Sequence, residues 1–256
     1  MSTEQLQRVL RTVAATALLG FPLASWGNLA DAETAYGKQE YFAAFREYVP
    51  LAKDGDAVAQ AALGRIYLDG QGAPQDVRAA ASWYEKAAAQ GHAGAQFQLA
   101  KMYAAGVGVK ADMTRAAQLM EKSANQGVVW AMYSLGVMYR DGHGVGRDLV
   151  QGIKWLDLAA SSSESAAAEY IALAKVERTA MEPALNPEQR GVAQKLAGEW
   201  LAAKRSRDHQ WQKPINRPAA LPATGEAADG KAERTPAASQ KADEPSPLAR
   251  DYYPKS

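Results

Sequence analysis

The chain repeats itself with a period of 36 residues. Ala62 to Gly72, Gln98 to Gly108 and Ser134 to Gly144 align without a gap, and an aspartate (Asp76, Asp112, Asp148) follows each segment four residues after its last glycine. A unit of that size cannot bury its own apolar face and must stack on copies of itself, which is the sequence signature of a helical repeat array. Helix A of each copy is expected to end at the first glycine of a Gly-x-Gly pair (Gly70, Gly106, Gly142), since glycine enters the left-handed region without a Cβ clash. The repeated aspartate then stands where helix B begins, where its carboxylate can accept orphan backbone N–H groups and complement the helix dipole. Helix B is expected over 77–90, 113–126 and 149 to about 160.

Residues that recur in every copy read as packing. Ala87, Ala88, Ala124, Ala159 and Ala160 let helices approach closely, while Leu63, Leu99 and Leu135 with Tyr67, Tyr103 and Tyr139 fill the remaining space. Residues 33–56 form half a repeat, with Pro50 expected to kink its helix. Three repeats follow over 57–92, 93–128 and 129–164, and residues 165–205 hold a degenerate fourth unit with a capping helix. That last helix opens with Asn186 as cap and Pro187 in the first turn, and Trp200 is its expected anchor. Seven of the twelve prolines lie in residues 206–256, which lack a sustained apolar period, so this tail is expected to be disordered.

The N-terminus carries an export pattern. Arg8 and Arg11 precede an uncharged stretch centred on Val13 to Ala24. Ala30-Asp31-Ala32 fits a small-x-small cleavage motif, giving a signal segment over 1–32 and a mature start at Glu33. Ser25-Trp26-Gly27 is a second possible site, and an uncleaved membrane anchor is the alternative. The apolar centre is shorter than the roughly 20 residues a spanning helix needs.

Composition narrows the chemistry. With 29 basic and 28 acidic residues, no phosphate-tracking surface for nucleic acid is expected. Cysteine is absent, which removes disulfides and thiolate sites. His92, His143 and His209 fall at turns or in the tail without partners at metal-ligand spacing, and the Gly-x-Gly pairs lack phosphate-loop spacing. No catalytic, cofactor-binding or metal-binding residue is therefore assigned.

The pattern Leu63-Gly64-x-x-Tyr67-x-x-Gly70-x-Gly72-x-x-x-Asp76, with Ala79-Ala80, Trp83, Lys86-Ala87-Ala88-x-Gln90-Gly91 and Ala95-Gln96, resembles the SEL-one-like repeat (SLR) family, related to the tetratricopeptide repeats. Ala100 replaces the helix A glycine in the second copy, and Leu119 stands where Trp83 and Trp155 do. The resemblance implies a right-handed α-α superhelix, or solenoid, acting as a non-enzymatic adaptor that binds a protein or peptide in its concave groove. It also implies a periplasmic or secreted setting in a Gram-negative bacterium, with membrane contact only if the N-terminal segment stays uncleaved. Alignment on Gly64 and Tyr67 places three sets of residues in that groove. They are Val58, Ala61, Arg65, Leu68 and Asp69; then Gly94, Phe97, Lys101, Ala104 and Ala105; then Trp130, Tyr133, Val137, Arg140 and Asp141. Arg65, Leu68, Phe97, Lys101, Trp130, Tyr133 and Arg140 are the expected partner contacts, aromatics beside cations suiting an extended peptide with an acidic group. Phe97 or Trp130 filling a gap between helices is the competing reading of the same residues. Two other functions stay open: a cell-wall or β-lactam-directed enzyme, and an intracellular scaffold if the N-terminus is uncleaved.

Overall fold

The computed structural model describes residues 28–211, and among these the regular structure is entirely helical, with ten α-helices, two short 3-10 turns and no strand. The apolar centre of the export segment and the tail from residue 212 lie outside the described residues. Contacts divide the chain into two units at Ala111/Asp112.

The first unit contains α1 (Leu29–Gly37), α2 (Tyr41–Lys53), α3 (Ala57–Asp69), α4 (Val77–Ala89) and α5 (Ala93–Ala105), each packed on the next. Ala32, Ala44, Tyr48, Ala52, Ala59, Leu63 and Ile66 form a buried cluster, with Leu29, Phe45 and Val49 packed against it. The helix starts are capped as the pattern requires. Asp76 Oδ1 accepts from the Arg78 and Ala79 N–H groups at 3.0 Å, and Asp56 Oδ1 from Ala59 at 2.8 Å. One period after Asp56, His92 does the same work through Nδ1, accepting from Ala95 at 3.1 Å. Buried glutamines stitch consecutive pairs together at matching register: Gln60 donates to the Ala52 carbonyl and Gln96 to that of Ala88. Helix α2 continues through Pro50 to Lys53.

The second glycine of each Gly-x-Gly pair has a packing reason. A Cβ on Gly72 would overlap the carbonyl of Tyr41, the first residue of α2, and one on Gly108 would overlap that of Val77, the first residue of α4. Tyr41 and Val77 are one period apart, so α2 stands to α3 as α4 stands to α5. Residues 28–53 are thus a complete, shortened helix pair where the sequence suggests half of one.

The second unit contains α6 (Met113–Asn125), α7 (Val129–Asp141), α8 (Leu149–Ala160), α9 (Ala168–Met181) and α10 (Pro187–Trp211). Helix α8 packs against α7, α9 and α10, and its Trp155 and Leu156 are fully buried with Leu135 of α7. Asp112 and Asp148 cap α6 and α8, and Gly144 rests on the Met113 carbonyl as Gly108 does on Val77. Ser165–Ala167 makes a single 3-10 turn before α9. Asn186 and Gln189 exchange hydrogen bonds at 2.8 and 3.0 Å, a capping box that opens α10. Trp200 anchors that helix, its ring edge-on to Trp155 at 6.2 Å and its Nε1 donating to Asn125 Oδ1 at 3.2 Å. Helix α10 runs to Trp211, past the expected end near residue 205, because no glycine or proline interrupts the chain before Pro214.

Candidate functional site

The groove positions fall on helices α3, α5 and α7, and the fold treats them unequally. In the first unit, Leu68, Phe97 and Lys101 are buried, at 7%, 3% and 5% exposure. Side chains so enclosed cannot meet a partner, so these three move from groove wall to packing. Arg65 remains half-buried. It lies over the Tyr36 ring at 5.4 Å and pairs with Asp69 one turn along its own helix at 3.6 Å. The Lys101 ammonium sits 5.7 Å from the Phe97 ring, and burial pushes its pKa down to about 8.

In the second unit, Trp130 is buried at 9% exposure and Tyr133 is half-buried. The structure brings them together through a residue that sequence reasoning did not name. Tyr170 of α9 lies edge-on to Tyr133 at 5.5 Å and to Trp130 at 6.5 Å between ring centroids. Burial raises the Tyr133 pKa, the nearby Glu177 carboxylate adds to that rise and Arg140 opposes it. Arg140 is no idle surface cation. Its guanidinium donates twice to Asp141, at 2.7 and 2.8 Å, and also to Glu177 of α9. Hydrogen bonding to Arg140 holds the Asp141 carboxyl below its ordinary pKa, with burial working against it. Arg140 therefore clamps α7 to α9 before it can serve any ligand.

The period itself points to what was missed. One repeat beyond Asp141 lies Glu177, one beyond Val137 lies Leu173, and one beyond Arg140 lies Val176. Extending the alignment by a fourth copy would have found all three on α9. Leu173 and Val176 are open to solvent, at 39% and 65% exposure. The side chains of this face that remain reachable in the second unit include Tyr133, Val137, Asp141, Tyr170, Leu173, Val176 and the Arg140–Glu177 pair. No group of three acidic, histidine or cysteine residues suited to a metal ion occurs among the described residues. None of the described helices is long and apolar enough to cross a membrane.

The Sel1 repeat family model matches residues 57–92, 93–128 and 131–163. Residues 57–163 of this chain thus carry three Sel1 repeats. The chain is similar to the crystal structure of c5321, described as a protective antigen present in uropathogenic Escherichia coli strains and displaying an SLR fold, at 29% identity and a TM-score of 0.58. That match covers 76% of this chain and 43% of the other. It is also similar to a Sel1 repeat protein from Oxalobacter formigenes, at 30% identity and a TM-score of 0.52, over 57% of this chain and 60% of that one. The chain therefore spans less than two thirds of either neighbour. No curated protein matches it. Sel1 repeats generally mediate protein–protein interaction, which sets the class of work expected of these helix faces.

Proposed function

We propose that this protein is a non-enzymatic adaptor of the bacterial cell envelope that holds a protein or peptide partner on its helix A faces. The observation that carries this reading is the division of labour along the Sel1 repeats. Glycines, capping aspartates and alanines that recur every 36 residues are consumed by packing and capping. The reachable side chains of the helix A register, by contrast, change from copy to copy. On α9 they include Leu173 and Val176, apolar groups one turn apart left in water beside the half-buried Tyr133 and Tyr170 and a charged pair. Apolar anchors rimmed by polar groups suit a partner that contributes an apolar side chain and backbone hydrogen bonds.

Cross-linked capture from the native envelope, followed by identification of the bound protein, tests this. Leu173→Asp combined with Val176→Asp should abolish capture and leave helical content and melting unchanged, since both side chains are exposed. Undiminished capture by that variant would rule out this face. Turnover of muropeptides or of a chromogenic β-lactam by the purified protein would overturn the non-enzymatic reading.

A further inference from the structure

We propose that export processing cuts the Gly27–Asn28 bond, so that the mature chain begins at the N-cap of α1; the proposal rests on the export reading above. The sequence offers two small-x-small motifs, Ser25-Trp26-Gly27 and Ala30-Asp31-Ala32, and the second leads to a start at Glu33. The two products differ in what they leave of the first helix.

A cut after Ala32 would run through the middle of α1. Ala32 is fully buried in the cluster that also holds Ala44, Tyr48, Ala52 and Ile66, and Leu29 packs against the same cluster. The Ala32 N–H donates to the Asn28 carbonyl at 3.0 Å, and Asn28 Oδ1 accepts from Ala30 at 3.0 Å. Starting at Glu33 would delete the cap, the first turn and two core side chains. The remnant from Glu33 to Gly37 would be five residues, too few to sustain a helix once its nucleating turn is gone. The core cluster would then lose its N-terminal cover.

A cut after Gly27 removes none of this. Asn28 is exposed and extended (φ −83°, ψ 120°), so the bond joining it to Gly27 precedes the first helical residue. Hydrolysis adds one water across that bond: Gly27 leaves with a new carboxylate on the released segment, and Asn28 keeps a new α-amino group. The resulting positive charge sits at the unfavourable end of the helix dipole, and Asp31 in the first turn offsets it. Both motifs satisfy the peptidase pattern in the unfolded chain; only one yields a product with its first helix whole.

The test is to express the full chain in a Gram-negative host, fractionate the cells, and read the N-terminus by intact mass and N-terminal sequencing. The expected product starts at Asn28. Gly27→Leu should abolish that product, whereas Ala30→Gln, which removes the small residue needed three positions before the Ala32–Glu33 bond and lies on an exposed position, should leave it unchanged. An exported chain starting at Glu33, or one whose processing is blocked by Ala30→Gln and not by Gly27→Leu, overturns this proposal and leaves export standing. An uncut chain confined to the cytosol overturns export and this proposal together.

Discussion

Replacing Gly108 by alanine tests the idea that close backbone approach, rather than side-chain packing alone, holds one helix pair on the next. Gly108 has φ 71° and its added methyl would meet the Val77 carbonyl at the start of α4. Gly91 provides the comparison: its φ is 91°, and nothing lies within 4 Å of where a Cβ would stand. Both substitutions carry the left-handed conformational cost, about 1–2 kcal/mol. Only Gly108→Ala adds overlap with a backbone group that cannot rotate away, which contributes about 1–3 kcal/mol more. Gly91→Ala should therefore cost about 1–2 kcal/mol and Gly108→Ala about 2–5 kcal/mol. With a urea m-value near 2 kcal/mol/M, the excess would separate the two midpoints by about 1 M. Urea titrations followed by circular dichroism on both variants measure this directly. Equal midpoints would refute the argument, because the strain would then lie in the turn and not in the contact between pairs.

Lys101→Met should stabilise the protein at pH 7, since burial disfavours the ammonium it removes. With a folded-state pKa of about 8 against an ordinary 10.5, the unfolded chain binds more protons between those values, so stability should rise with pH across that window by up to roughly 3 kcal/mol. The Met variant should lack the rise, and identical urea midpoint profiles for the two proteins between pH 7 and 10 would refute it. Trp200→Ala should cost about 2 kcal/mol by stripping the edge contact to Trp155 and the bond to Asn125. Hydrogen exchange should then quicken in α8 and α10; unchanged protection there would mean that Trp200 is no anchor.

Much of the fold was legible because its determinants are local and are repeated. A glycine at a helix end, an aspartate three residues before a helical N–H and an asparagine followed by proline each act within one turn of chain, and each performs the role its position suggests. The candidate site was legible in register but not in exposure. Phe97, Trp130 and Tyr133 share helix A faces as the alignment requires, yet Phe97 and Trp130 are buried while Val176, in the degenerate fourth unit, stands open. Arg140 could be placed on its helix from the sequence, but its engagement with Glu177 depends on α9 lying alongside α7.

The sequence by itself determined that the chain is a stack of helix pairs, where the helices of its three full repeats begin and end, and that its repeated residues serve packing. The tertiary structure decided which helix A side chains reach water, that α1 completes the first pair, and that Ala32 belongs to a core. The physical reason is range. Capping and turn geometry are set within a few residues, whereas burial is set by whatever helix lies alongside, and neighbours in space such as Tyr133 and Tyr170 or Ala32 and Ile66 are separated by more than thirty residues of chain.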